Sequence, residues 1–501
     1  MAYARRAIRG VGIVLVMGVL ASMVAYATRV YLARKLDPAG YGLFYAVFTF
    51  VLFFLFFRDL GLDQALTKYI SEFKALEKYN EIKTALFTAV SFQILSSLVF
   101  SAFFFLLSDW LAVHYFKEPA ASLLLKIMVG YTIFSIAFPF LKSFFTGFQK
   151  FKIFAFVDVV KNSLILILLA IFFELGLGVY APVLAYVGVG LLLLIVFFPW
   201  VLKTFNLFQH KASGMKEMTR TLFLFGIPVM MTDVGSKVIS YIDTLLLTSF
   251  RPLNEVGIYN VALPSAMIFF FFASAIAAVA FPIFVELWAK KELQKFREGM
   301  KLLHKYTLVF FSPIILTFFV FADFFILQFF GKQYAAAVLP FQVLLVGVLL
   351  FTEAQINHNI IAAIGKPKTI TKIIFTAAVA NTGLNLLLIP FYGIVGAAAA
   401  TLISYALAFL LSSYLLAKYT ETKMPLLILA KTILVSLLFV GSALYLRSFF
   451  DFNIWLVIPI VLTISFSLYG VVAWLLGLLD LHEIQYYIRV VIKKKDNTSN
   501  P

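Results

Sequence analysis

Residues 164–202 read LILILLAIFFELGLGVYAPVLAYVGVGLLLLIVFFPWVL, with Glu174 as the one charged residue. They contain the second half of one apolar run, 153–174, and the whole of another, 179–202, joined by a turn that contains Gly176 and Gly178. A helix needs about 20 apolar residues to cross roughly 30 Å of hydrocarbon, and each run is long enough. The stretch therefore predicts two neighbouring transmembrane helices.

Runs of this kind recur along the whole chain, which is 63% hydrophobic, 13% charged and has a mean hydropathy of +0.99. Soluble domains carry about 25% charged residues, so the composition excludes a water-soluble globule. We predict an all-α polytopic membrane protein of about fourteen transmembrane helices. They are placed near 10–33, 41–66, 84–108, 122–146, 153–174, 179–202, 220–248, 257–288, 303–330, 335–364, 370–391, 393–417, 425–446 and 453–478.

The first run follows three arginines and resembles a secretory signal with a cleavage site. Because the apolar stretch continues to Leu32 and has an internal counterpart further on, we interpret it as an uncleaved first helix. Absence of cysteine excludes disulfides and thiol chemistry.

Charge asymmetry orients the helices, since loop lysines and arginines collect on the cytoplasmic side. With the N-terminus inside, cytoplasmic segments and their helix ends hold 30 of the 41 Lys and Arg residues. The external segments hold six, namely Arg34, Lys35, Lys117, Arg251, Lys332 and Arg447. We expect a multi-pass protein of the plasma membrane with both termini cytoplasmic.

Basic clusters account for the net charge of +17 without nucleic acid as a partner. One occupies residues 290–305, and another ends an amphipathic tail over residues 481–501. Such clusters suit anionic membrane lipids, and they also serve as determinants of topology.

An internal repeat relates the two halves of the chain. A shift of 215 positions aligns Gly42 with Gly257, and a shift of 218 aligns Gly178 with Gly396. We predict two parallel six-helix bundles, residues 1–210 and 211–422, with helices 13 and 14 in residues 423–480. Parallel repeats predict a V-shaped transporter that works by alternating access between the bundles.

Charged and polar residues inside the apolar runs mark a candidate pathway, because a charge at a helix centre costs about 2.5–3.5 kcal/mol on insertion scales. The candidate cations are Arg29, Arg58, Lys161 and Lys237. The candidate cavity lining is Ser22, Tyr26, Asp158, Asn162, Ser236, Ser240, Tyr241, Asp243, Asn357 and Asn381. Asp233 and Glu353 are candidates for proton or sodium coupling, and Glu353 is expected to be a solitary carboxylate within its apolar run.

Each charge also has an ordinary structural interpretation. Arg29 and Arg58 suit snorkelling to the headgroups. Lys237 has Asp233 four residues before it, and Lys161 has Asp158 three residues before it, so each lysine has a possible intrahelical partner.

Four segments resemble a known family. They are YLARKLDPAGYGLF at 31–44, DLGLD at 59–63 before a charged Lys68 to Lys83 loop, DTLLL at 243–247 and VGIYN at 256–260. They are similar to the polysaccharide-transporter branch of the multidrug/oligosaccharidyl-lipid/polysaccharide exporter superfamily.

The resemblance implies a flippase for an oligosaccharide linked to a polyprenyl phosphate or pyrophosphate, with polysaccharide assembly enzymes as possible partners. It implies that the four candidate cations bind the anionic headgroup. In the related lipid II flippases, arginines on helices 1 and 2 are linked to the pyrophosphate, and Arg29 and Arg58 match these by helix only.

Two rival functions remain open. An embedded glycosyltransferase would need room for catalytic groups outside the membrane, where the longest predicted loop is Ser108 to Ala121, and no nucleophile triad or metal-binding motif is present. We therefore expect no enzyme activity, no metal and no cofactor. An ion-coupled multidrug exporter of the same superfamily is the stronger rival, and carboxylates would suit its cationic cargo.

Overall fold

The computed structural model describes residues 2–422, 426–450 and 453–480, and within these ranges the chain is helical without strands. Long runs of apolar residues favour helices, because a helix satisfies its backbone hydrogen bonds within the same segment and so can lie in lipid. The helices are α1 Ala2–Lys35, α2 Pro38–Asp59, α3 Leu62–Ala75, α4 Tyr79–His114, α5 Ala120–Phe134, α6 Ala137–Gly147, α7 Phe151–Glu174, α8 Tyr180–Thr204, α9 Met215–Phe250, α10 Leu253–Met267, α11 Phe270–Ala289, α12 Leu293–Val320, α13 Ala322–Phe329, a 3-10 helix Lys332–Ala337, α14 Val338–Ala363, α15 Pro367–Thr420, α16 Leu426–Phe449 and α17 Ile454–Leu475.

Thirteen helices of the described residues are long and apolar enough to cross a membrane. The longest, α15, has 54 residues and a break at Gly393, whose φ of 54° and ψ of −131° are not helical. Glycine adopts this backbone at no steric cost. The break separates the predicted helices 11 and 12, so the helical membrane fold of about fourteen spans is confirmed.

Several predicted helices are divided in two. The predicted span 41–66 ends at Asp59, because Leu60 and Gly61 both adopt left-handed backbone, with φ of 49° and 76°. The chain then continues as α3. The prediction of a charged loop from Lys68 is therefore wrong, since Lys68 to Ala75 is helical.

The predicted spans 122–146 and 257–288 also divide, into α5 with α6 and α10 with α11. Helix α12 begins at Leu293, ten residues before the predicted start, so much of the 290–305 basic cluster lies on a helix. The basic tail 481–501 lies outside the described residues, as do the side chains of the N-terminal arginines.

The chain forms two compact units. The first consists of residues 1–262, 326–337 and 378–400, and the second contains the remaining described residues. In the first unit α1 packs on α7, α4 on α5, and α9 on α2, α3 and α4. In the second, α11 and α12 pack on α14, and α16 packs on α17. The predicted boundary between two six-helix bundles at residue 211 rests on the internal repeat and stays a prediction.

Two glycine contacts fix helix α2 and the break that follows it within the first unit. A Cβ on Gly42 would lie 1.8 Å from the Leu253 carbonyl oxygen and 2.7 Å from the Gly257 nitrogen. A Cβ on Gly61 would lie 2.1 Å from the Gly226 carbonyl oxygen. Backbones approach this closely in membranes only where side chains are absent.

Candidate functional site

A cavity of about 470 Å³ lies within the first unit and is lined by residues of α2, α3 and α5 to α9. Residues 52, 55, 56 and 59 of α2 face it, as do residues 233, 237 and 241 of α9, because positions three or four apart share a helix face. Its polar and aromatic lining consists of Phe56, Arg58, Asp59, Asp63, Gln64, Tyr131, Ser135, Phe138, Lys161, Tyr186, Asp233, Lys237 and Tyr241.

Three of the four predicted cations line this cavity, and none of the three has an ion pair among the described residues. Arg58 is 5% exposed and donates from Nη1 to the Thr132 carbonyl oxygen at 2.7 Å and to Ser135 Oγ at 2.9 Å. Lys161 Nζ lies 3.9 Å from the centroid of the Phe138 ring, and Lys237 Nζ lies 5.9 Å from that of Phe56. Cation–π contact stabilises such groups by about 0.5–2 kcal/mol and does not replace an ion pair.

The intrahelical partners expected from sequence are engaged elsewhere. Asp233 Oδ2 accepts a hydrogen bond from Gln64 Nε2 at 3.1 Å rather than pairing with Lys237. Asp158 forms an ion pair with Lys142, and its charge also acts on Lys161 without a direct contact. The direct intrahelical ion pairs predicted for Lys237 and Lys161 are therefore not formed.

Carboxylates balance the cations in number, since Asp59, Asp63 and Asp233 line the cavity with Arg58, Lys161 and Lys237. Gln93 Nε2 donates to Asp59 Oδ1 at 2.8 Å and to Asp63 Oδ1 at 3.0 Å. Burial and the adjacent Asp59 carboxylate raise the pKa of Asp63, on α3 outside the candidate membrane spans, to about 8. The net charge of the cavity thus depends on protonation of this pair.

Arg29, the fourth predicted cation, is not among the lining residues of this cavity. Its guanidinium carbon lies 4.9 Å from the centroid of the Tyr45 ring, and its Nη1 is buried without a hydrogen-bond partner. Arg29 is therefore a half-buried residue that packs against an aromatic ring, with one guanidinium nitrogen buried.

The other predicted lining residues of the first unit take several positions. Tyr241 lines the cavity. Ser22, Ser236 and Ser240 are exposed, Tyr26 packs edge-on against Phe329 and Phe330, and Asn162 donates to the Ala21 carbonyl oxygen at 2.8 Å, which ties α7 to α1.

Asp243 and Asn381 belong to a separate buried cluster. Asp243 accepts hydrogen bonds from Tyr259 Oη at 2.6 Å and from Asn385 Nδ2 at 2.7 Å, and Asn385 Nδ2 also donates to Asn381 Oδ1 at 3.2 Å. These bonds join α9, α10 and α15, and Asp243 is 1% exposed. Their evident effect is to hold these helices together.

Glu353 and Asn357 lie in the second unit. Glu353 is 1% exposed, and its Oε2 lies 2.6 Å from His304 Nδ1, so the expectation of a solitary carboxylate is wrong. Its Oε1 has no hydrogen-bond partner. Asn357 Nδ2 donates to Ser412 Oγ at 3.1 Å and to Ser413 Oγ at 2.8 Å, which fastens α14 to α15.

The sequence analysis did not identify most of the aromatic and amide side chains at the cavity. Tyr131 and Tyr186 lie with ring centroids 6.2 Å apart, and Phe48 packs on both rings. In a chain with 23 tyrosines and 59 phenylalanines, aromatic residues carry no positional signal. Gln64 and Gln93 were equally hidden, although an uncharged amide beside a membrane carboxylate is a reasonable partner to search for.

In the part of the chain that the structure describes, no three His, Asp or Glu side chains are grouped so as to hold a metal ion.

Comparison with known proteins places the chain in context. The model of a family described as "Polysaccharide biosynthesis protein" matches residues 7–288, more than half of the chain. This confirms the resemblance noted from the sequence segments. The chain is similar to an uncharacterized membrane protein of Methanocaldococcus jannaschii, 28% identical over 99% of this chain and 100% of that protein.

A second relative is the "Probable low-salt glycan biosynthesis flippase Agl15" of Haloferax volcanii, 24% identical over 46% of this chain and 48% of its own length. Among solved structures, the lipid II flippase MurJ in an inward closed conformation superposes with a TM-score of 0.74 at 17% identity. The match covers 91% of this chain and 98% of that one, and shows that the two share a fold.

Proposed function

Because this chain belongs to the polysaccharide biosynthesis protein family, we propose that it is a flippase for a lipid-linked oligosaccharide. It would carry a polyprenyl phosphate or pyrophosphate headgroup with its sugars from the inner to the outer leaflet of the plasma membrane by alternating access. Both termini lie in the cytoplasm in this proposal, which the distribution of lysine and arginine supports. The relatives support transport of glycans rather than catalysis.

One observation carries the proposal. Arg58, Lys161 and Lys237 line one cavity and no carboxylate lies within ion-pair distance of them in the described residues. A membrane protein retains a cation without an ion pair inside its helical region chiefly where the cation meets water or an anion. A phosphate or pyrophosphate presents acceptor oxygens for charge-assisted hydrogen bonds with all three groups.

The aromatic lining suits the other part of the cargo. Tyr131, Tyr186 and Tyr241 offer ring faces and hydroxyl groups to a sugar, while the polyprenyl tail stays in lipid. A cavity of about 470 Å³ is within the size range of small-ligand sites, roughly 300–1,000 Å³. It therefore suits the phosphate and the sugar nearest to it, and the rest of a long glycan lies outside it.

Energy for transport comes from an ion gradient, the membrane potential or consumption of the product outside. Asp233 and Glu353 are the proposed coupling carboxylates for a proton or Na+. Asp233 accepts from Gln64 and Glu353 lies against His304, so neither carboxylate is held in an ion pair with a lysine or arginine of the described residues, which leaves it available to a coupling ion.

The test is binding of a glycosylated short-prenyl diphosphate by the purified protein. Lys237→Gln removes one charge-assisted contact, worth about 1.5–3 kcal/mol, so its Kd should rise roughly 10- to 140-fold. Lys126→Gln is the matched control, because Lys126 already forms an ion pair with Asp109 at 2.9 Å and is not among the residues that line the cavity.

Equal affinities for the wild type and Lys237→Gln would contradict the assignment of Lys237. If the wild type instead bound lipophilic organic cations and ignored the diphosphate, the multidrug-exporter alternative would replace the flippase.

A further inference from the structure

Two carboxylates beside the cavity share one amide group. Gln93 Nε2 on α4 donates to Oδ1 of both Asp59 and Asp63, and the Asp63 backbone N–H also donates to Asp59 Oδ1 at 3.3 Å. Asp59 is the last residue of α2 and Asp63 the second of α3. Three hydrogen bonds therefore hold the two side chains next to each other.

The backbone between them fixes this arrangement. Leu60 and Gly61 are both left-handed, and Gly61 lies directly against the Gly226 carbonyl. Leucine in this conformation is strained by about 1–2 kcal/mol, which persists only where the surroundings determine it. The backbone positions of Asp59 and Asp63 are therefore fixed relative to each other by the break between α2 and α3.

No lysine or arginine of the described residues forms an ion pair with either carboxylate, although the Arg58 charge is close enough to act on both. Arg58 donates from Nη1 to Thr132 and Ser135. The residue is 5% exposed, and its buried Nε has no hydrogen-bond partner. Gln93 is fully buried, and its Oε1 is also without a partner. Two carboxylates held this close in a half-buried site repel each other when both are ionised, which favours one proton shared between them.

The elements packed around the pair supply both uncharged and titratable side chains. Helix α4 contributes the uncharged Gln93, α6 contributes Phe138 and Pro139, and α3 itself adds Gln64. The titratable groups that line the same cavity are Arg58, Tyr131, Lys161, Tyr186, Asp233, Lys237 and Tyr241, from α2, α5, α7, α8 and α9.

We propose that Asp59 and Asp63 form a proton-binding site that holds one proton between them and is linked to anion binding in the cavity. An anion beside Arg58 adds negative charge next to the pair and so favours the protonated form. By reciprocity, the bound proton favours the anion. The linkage rests on the proposed function, whereas the proton site itself does not.

Infrared titration of the purified protein without substrate tests the proton site. The wild type should show a carboxylic-acid C=O band that disappears as the pH rises through neutral values. Asp59→Asn and Asp63→Asn each leave one carboxylate near Arg58 without a second acidic group beside it, so both should lower the midpoint, while burial keeps it above that of an exposed aspartate. Asp109→Asn is the control, since Asp109 is exposed and paired with Lys126, and should leave the band unchanged.

Gln93→Leu provides a second, independent arm. It removes the donor that stabilises the ionised carboxylates, so the midpoint should rise rather than fall. A band that keeps its midpoint in both Asn variants, or a wild type without a band that titrates near neutral pH, would overturn the proton site.

Binding of the glycosylated short-prenyl diphosphate, a diester whose charge is constant over this range, tests the linkage. From about pH 9 to about pH 6 the wild-type affinity should increase roughly 5- to 150-fold, the usual range of coupling between two sites. Asp63→Asn should bind with little pH dependence. A wild-type affinity that is constant or falls would refute the linkage, and absence of any binding would refute the proposed function while leaving the infrared result in place.

Discussion

Substitution of Gly42 by alanine tests the close packing of α2 against the helix that starts at Leu253. The new Cβ would lie 1.8 Å from the Leu253 carbonyl oxygen, and an ordinary contact is near 3.4 Å. The backbones must therefore separate by about 1.6 Å. Overpacking of this kind costs about 1–3 kcal/mol, and the opposing contact is backbone, which cannot move aside as a side chain would.

Thermal unfolding of the purified protein in detergent measures the effect. Gly42→Ala should lower the Tm by several degrees, and Gly257→Ala should do the same, because its Cβ would lie 2.0 Å from the Pro38 carbonyl oxygen. Gly441→Ala is the matched control within α16, where nothing lies within 4 Å of the added carbon. Alanine is favoured over glycine in helices by about 0.8–1 kcal/mol, so the control should keep or raise the Tm.

If Gly42→Ala unfolds at the wild-type temperature, the helices do not approach at this point and the packing argument fails. Equal losses in Gly42→Ala and Gly441→Ala would contradict it as well.

Asn385→Leu should lower stability by about 1.5–3 kcal/mol in thermal unfolding, because it removes a hydrogen bond to the buried Asp243 carboxylate; Asn359→Leu, which loses only a bond to its own helix at Gln355, should stay within about 0.5 kcal/mol. Gly393→Ala should also destabilise, because its Cβ would lie 2.5 Å from Glu255 Oε2 in the Arg251–Glu255 pair and its φ is positive; an unchanged Tm would speak against this contact. Asp233→Asn or Glu353→Gln should remove the dependence of flipping on a pH or sodium gradient, measured in proteoliposomes, and dependence that survives both changes would refute their role in coupling.

Periodicity and composition predicted the helices well, because each depends on residues close in sequence. The boundary between helices 11 and 12 coincides with the break at Gly393, and the repeat that pairs Gly42 with Gly257 selects two residues that are in contact. Small residues at equivalent positions of a repeat indicate where backbones meet, and this signal is readable without a structure.

The side-chain partners were less predictable, since they depend on contacts between distant helices. Spacing of four residues predicts a pair between Asp233 and Lys237, yet Asp233 bonds Gln64 from another helix. The break at Leu60 has no local glycine–proline signal beyond Gly61, and the contact of Gln93 with both Asp59 and Asp63 depends on a distant helix. His304 is one of five scattered histidines, and only the fold brings it to Glu353.

Transbilayer movement of a fluorescent lipid-linked oligosaccharide in proteoliposomes tests the central claim most directly. The wild type should bring the labelled lipid to the outer leaflet faster than protein-free vesicles, and Lys126→Gln should match it. Lys237→Glu should abolish the movement at equal amounts of protein in the membrane, because it places a carboxylate where the phosphate binds. Movement at the protein-free rate with the wild type, or at the wild-type rate with Lys237→Glu, would contradict the account.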